Sequence, residues 1–176
     1  MAGNFATLPE AEAIITGDLE RILPHNVREV LLDVILAWAR LDMATAFFVA
    51  SVSGLNPDEG ADKYGRKEIA EKLKRACSAL KVRGEDGHAS KVREIAEAYP
   101  EKALVRRRIA HSRCAGVRKS MPSRVVFLPF EREGPPGNLA VEVIDISKFA
   151  DAAEWANEVH EYFMQHVDDS DFFQAG

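Results

Sequence analysis

Residues 26–52 read NVREVLLDVILAWARLDMATAFFVASV, and this stretch decides the fold class. Asn26 with Glu29 three residues later fits a capping box, in which the Asn oxygen accepts from first-turn amides and the Glu carboxylate reaches back. Behind it Leu31, Ile35, Trp38, Asp42, Thr45 and Val49 recur at steps of three and four, the period of one helix face, until Gly54 and Pro57 end the pattern. Such a helix is roughly 40 Å long at about 1.5 Å per residue, so it needs partners along its side. Arg28, Glu29, Asp33, Arg40 and Asp42 interrupt it with charges that are costly in hydrocarbon, which makes it a core helix and not a membrane span.

Working outward, Arg66 to Val82 carries Ile69, Leu73, Ala76, Cys77 and Leu80 on one face, with Gly84 as its stop. Glu85 to Ala89 reads as a polar loop, and Ser90 as the N-cap of a helix through Val92, Ile95, Ala96 and Tyr99. Pro100 favours a first helical turn, so a further helix with Leu104, Val105 and Ile109 is expected from there to about Ser112. Gly116 and Pro122 bracket a loop. The composition then changes: RVVFLPF (124–130) and LAVEVID (139–145) are β-branched and aromatic and flank the turn-rich EREGPPGN, predicting one β-hairpin over 124–145. Pro129 cannot donate to a ladder, which assigns its strand to a sheet edge, and a lone hairpin needs the helices to pack on. A last helix, 147–167, presents Phe149, Ala152, Ala156, Val159 and Phe163 before an acidic, frayed tail at 168–176. The expected fold is mainly α: one domain over 1–176, an antiparallel helical bundle with core helices in 26–113, an appended hairpin and a C-terminal helix.

Composition excludes several classes. Of the 176 residues 47% are hydrophobic, with 11 Gly, 8 Pro and no repeat, which rules out collagen-like, low-complexity and disordered chains. The net charge of −5 is unevenly spread: eight Lys or Arg and no acid lie between Lys102 and Phe130. Cys77 and Cys114 make no disulfide framework and have no CxxC or CxxH spacing. Met1 to Glu20 lacks a basic n-region and a clean apolar run, so a cytoplasmic protein is expected. His25 and His88 read as solvated, and His160 and His166 lack metal-ligand spacing; with no Gly-rich phosphate loop, GxSxG or HExxH, neither metal nor cofactor is expected.

The centre of the basic island reads LVRRRIAHSRC (104–114). Arg106 and His111, with four residues between them in the context RxxIAHS after long helices, resemble the signature of the HEPN superfamily (higher eukaryotes and prokaryotes nucleotide-binding domains), over about residues 26–113. The resemblance implies a helical bundle that dimerises so that two Arg-His motifs share one cleft. It also implies a metal-independent endoribonuclease of the toxin or defence type, in which the ribose 2′-hydroxyl attacks phosphorus and leaves a cyclic phosphate. His111 would move the proton and Arg106 would hold the phosphate. Arg107, Arg108, Arg113, Arg118 and Lys119 are candidates for gripping the RNA backbone, and Ser112 adjoins the motif. The implied partners are RNA, a second copy, and a cognate antitoxin or nucleotidyltransferase-like protein.

The sequence departs from the family where Arg107 stands in place of the usual Asn, Asp or His. At about 100° per residue Arg107 shares a face with His111 whereas Arg106 lies about 140° away, so either arginine could be the working one. The same residues also read as a solvated helix end with a capping histidine. Asp42, in the apolar stripe, needs a partner: it either orients an arginine or His111 of the motif, or makes a plain ion pair. Two non-enzymatic functions stand beside the nuclease, a HEPN-like module binding RNA, nucleotide or protein, and a helical adaptor docking an acidic partner.

Overall fold

Helix α2 runs from His25 to Val52 without a break. Pro24 directly precedes it and its carbonyl accepts from Arg28 N at 3.1 Å, so Asn26 sits inside the first turn and not at the cap. Of the expected stripe Trp38, Thr45 and Val49 are buried, Leu31 and Asp42 half-buried and Ile35 exposed, while Val34, Leu41, Phe48 and Val52 extend the buried face to the neighbouring stripe. The helix is apolar on more than one side, so periodicity alone does not choose between neighbouring stripes.

The computed structural model describes residues 5–129, 140–170 and 172, which leaves the EREGPPGN connector and most of the acidic tail outside the described residues. Its elements are α1 (Leu8–Thr16), β1 (Leu19–Glu20), α2, α3 (Pro57–Tyr64), α4 (Ile69–Val82), α5 (Asp86–His111), β2 (Ser112–Arg118), β3 (Arg124–Pro129), β4 (Glu142–Asp145) and α6 (Ile146–Asp169). The chain is mainly helical with a small antiparallel sheet, and no helix among the described residues is long and apolar enough to cross a membrane. It divides into two compact units, one from Met1–Ile35 with Ala103–Ala153 and one from Leu36–Lys102 with Glu154–Gly176.

The first unit holds α1, the sheet and the adjoining ends of α2, α5 and α6. The sheet is four-stranded in the order β1-β2-β3-β4, every pair antiparallel, so the expected hairpin β3–β4 is only half of it. Strand β2 takes in 116–118, the first part of the loop expected between Gly116 and Pro122. Its sequence SRCAGVR holds one β-branched residue, and its order comes from the ladder with β3 rather than from composition. β3 is therefore an inner strand, not an edge. Pro129 is tolerated because it is the last residue of the strand, opposite Ser112 and beyond the β4 ladder, which ends at Phe127. Val125, Val126 and Phe127 are all fully buried, which for side chains alternating between faces means that both faces of β3 are covered. Val126 packs with Ala11 and Ile14 of α1, and Phe127 lies 5.8 Å from the Phe149 ring of α6.

The second unit is all helical. Its buried residues include Leu41 and Phe48 of α2, Leu73, Ala76 and Leu80 of α4, Val92 of α5 and Phe163 of α6, and the Phe48 and Phe163 rings stack at 4.4 Å. The expected break at Ser90 or Pro100 is absent, because α5 runs on from Asp86 to His111 with Pro100 inside it. A helix tolerates the lost bond when residues on both sides are buried, as Val92, Ile95, Ala103 and Val105 are. Gly84 ends α4 at φ 74°, the left-handed conformation in which glycine escapes the Cβ penalty. Helix α3 is short and capped reciprocally by Asn56 and Glu59 at 2.9 and 3.1 Å.

In the first unit, β2 carries a bulge between Cys114 and Gly116, and Gly116 sits at φ 144°. A Cβ there would lie 2.0 Å from the Glu20 carbonyl oxygen. Gly116→Ala is therefore expected to destabilise the protein by about 2–4 kcal/mol in urea unfolding. An unchanged midpoint would overturn the close approach of β1 to β2.

Candidate functional site

The last turns of α5 sort their side chains by angle. Val105 and Arg108 are buried, whereas Arg106, Ala110, Arg107 and His111 are exposed and span about 140° of arc. Arg107 and His111 are neighbours on that arc at about 40°, and Arg106 stands at its other edge. Arg106, Arg107, His111 and Arg113 form no ion pair with any described residue. His111 closes the helix, where carbonyls lacking helical partners favour cations. Ser112 opens β2, half-buried opposite Pro129, and Arg113 projects from the strand into solvent. The Cys114 thiol in the same strand is pushed up by burial, which makes it a poor nucleophile.

Other members of the basic island are taken up by acids from distant parts of the chain. Arg108 is buried and paired with Glu142 of β4, their side chains 7% and 2% exposed, so it does not present its charge to an RNA backbone. Its guanidinium also lies 5.8 Å over the Phe5 ring. Arg118 Nε donates to Asp18 Oδ2 at 2.6 Å, and Asp18 also accepts from the Ser120 amide and hydroxyl, each at 2.7 Å. Lys119 Nζ donates to the Gly17 carbonyl at 3.3 Å while remaining exposed, and Arg124 pairs with Asp145 at 3.3 Å. The basic island is acid-free along the chain but not in space. What stays available is Arg106, Arg107, His111 and Arg113, with Lys119 beyond them. A cleft of about 380 Å³ in this unit is lined by Glu10, Asp18 and Arg118 and not by the motif.

Asp42 belongs to the other unit and accepts from Lys72 Nζ at 2.7 Å; the lysine is 1% exposed and the carboxylate 50%. This is the plain ion pair among the two readings of that residue. Lys72 also donates to the Asp42 carbonyl at 3.2 Å, so one carboxylate and one backbone oxygen satisfy a buried ammonium.

No known protein family, curated protein or solved structure matches the chain.

The sequence reading passed over one cluster. His88 lies on α5 and not in a loop, with Nδ1 2.8 Å from the Tyr162 hydroxyl, and Glu85 and His166 stand beside it. Glu85-x-x-His88 is a spacing that places two side chains on one helix side, and this signal was legible. His166 is 78 residues further on, and nothing local joins it to them.

Removing one partner of a buried ion pair strands the other charge. Arg108→Ala is expected to cost about 3–5 kcal/mol, while the double variant Arg108→Met with Glu142→Leu recovers most of it. Urea unfolding of the single and double variants checks this. Asp18 is held down to about 2, first by the Ser120 hydroxyl and amide and then by Arg118. A carboxylate with a lowered folded-state value stabilises fully above its unfolded value, about 4, and loses that contribution as pH falls through about 2. Asp18→Asn is expected to flatten the acid limb of the stability profile between about pH 4 and 2, read by thermal melts across that range.

Proposed function

We propose that the protein is an endoribonuclease in which the exposed arc of α5 binds a phosphodiester and His111 moves the proton. The observation that supports this best is the arc itself: two arginines and a histidine on one solvent-facing helix end, with no acid of the described residues paired to them. A fixed guanidinium fork suits a phosphate whose charge grows in the transition state.

The reaction asks for two proton transfers. The ribose 2′-oxygen bonds to the adjacent phosphorus as its proton passes to a neutral imidazole; the bond from phosphorus to the 5′-oxygen breaks, and an imidazolium protonates the leaving oxygen. The products are a 2′,3′-cyclic phosphate and a 5′-hydroxyl, with no redox change and no water consumed. One protomer places a single histidine on the arc, so a second copy supplies the second. Helix α2 offers a surface for that copy: Leu32, Ile35, Leu36 and Met43 are exposed within about 100° of arc. The resemblance of Arg106 and His111 to the HEPN motif points to the same dimeric arrangement. Arg107, as the helical neighbour of His111, is the arginine the geometry favours for gripping the phosphate beside the imidazole.

The test is purified full-length protein with end-labelled single-stranded RNA in EDTA. His111→Ala is expected to lower cleavage by at least about 10²-fold with RNA affinity little changed, because proton transfer is lost and the cationic surface is kept. Arg113→Ala is expected to weaken binding and reduce the slope of log K against log salt by about one. Intact RNA with the wild type, or equal rates for His111→Ala, would remove the nuclease and leave a non-catalytic RNA-binding module.

A further inference from the structure

In the unit formed by Leu36–Lys102 and Glu154–Gly176, the start of α5 meets the last turns of α6. Glu85 occupies the cap position of α5, its carbonyl accepting from Ala89 N at 2.9 Å. His88 follows three residues later, and His166 comes from α6. One ligand atom from each of Glu85, His88 and His166 lies within 4.8 Å of the other two. Ligands of a tetrahedral zinc ion at about 2.0–2.1 Å stand about 3.3 Å apart, so the widest pair needs to close by about 1.5 Å. His88 is exposed and Glu85 and His166 are half-buried, so the set is reachable from solvent.

The surrounding residues orient this set. The Tyr162 hydroxyl lies 2.8 Å from His88 Nδ1 and fixes the plane of that ring. A metal on Nε2 would require Nδ1–H to donate to the phenol oxygen, which is how outer partners fix ligating histidines. The His166 ring stands edge-on to Phe48 at 5.0 Å and to His88 at 4.8 Å. Arg83 Nε binds Glu85 Oε1 at 2.6 Å and leaves the other oxygen for a metal. A cavity of about 430 Å³ bordered by His88, Tyr162, Gln165 and His166 gives room for a water as a further ligand.

We propose that Glu85, His88 and His166 form a binding site for a divalent transition metal of the zinc class, which fastens the end of α6 to the start of α5. Two imidazoles and one carboxylate suit zinc, cobalt or nickel; magnesium and calcium prefer sets made wholly of oxygen. The site shares no residue with the α5 arc and does not depend on the nuclease reading.

The experiment uses full-length protein stripped with EDTA, dialysed, and titrated with Co²⁺ and then Zn²⁺. The expected results are visible bands of four-coordinate Co²⁺ that Zn²⁺ abolishes, and a melting temperature raised by about 5 °C in excess Zn²⁺. His88→Gln and His166→Gln are each expected to lose the bands and the thermal shift. Tyr162→Phe keeps the ring packing and all three ligands but removes the oxygen that orients His88, so its affinity is expected to fall about 10–100-fold. Absence of both bands and thermal shift in the wild type at about 100 μM metal would overturn the site. Metal binding by both histidine variants as tight as that of the wild type would overturn it equally.

Discussion

Burying Arg108 against Glu142 sets the rotation of α5 and, with it, the surface the protein presents. Two charges removed from water are tolerated only when each faces the other at close range, so the α5 end is held to β4 at that point. Glu142 in turn lies opposite Phe127 of the doubly covered strand β3. Once the third arginine of the RRR run points inward, Arg107 lies about 100° and Arg106 about 160° round from it, and both are exposed; His111, about 60° from Arg108, is exposed where the helix ends. An uncharged residue at 108 would leave that rotation to apolar packing alone.

The charge pattern of the chain acquires its meaning only in three dimensions. Eight cations without an acid over 29 residues suggest a continuous basic stripe. The fold instead brings Asp18, Glu142 and Asp145 onto Arg118, Arg108 and Arg124. The remaining positive charge is concentrated at one helix end and the strand leaving it. A small focus of this kind suits one or two phosphates, whereas a long stripe suits a duplex.

The parts of this architecture that were legible in sequence are those whose signal is local and repeated. The stripes of α4 and α6 are buried as their periodicity indicates, and the β-branched runs of β3 and β4 pair as expected. Elements fixed by distant neighbours were not legible. α1 has nine residues and buries only Ala11 and Ile14, against a sheet more than 100 residues away. β1 has two residues and exists only as the partner of β2. The site follows the same division. The Arg-His spacing was visible, but the neutralisation of Arg118 by a carboxylate 100 residues earlier was not. The pairing of Asp42 with Lys72 was foreseen as to kind and not as to partner.

Three helices, α2, α5 and α6, each contribute to both compact units, so neither unit is a continuous piece of chain. During synthesis the sheet-bearing unit cannot complete until residue 153 has left the ribosome, although its first segment emerged more than 100 residues earlier. The all-helical unit waits longer still, because Phe163 must arrive to stack on Phe48. The nascent chain therefore holds the apolar surfaces of α2 and α4 open for most of its translation, a period in which holdase chaperones have their best access to it.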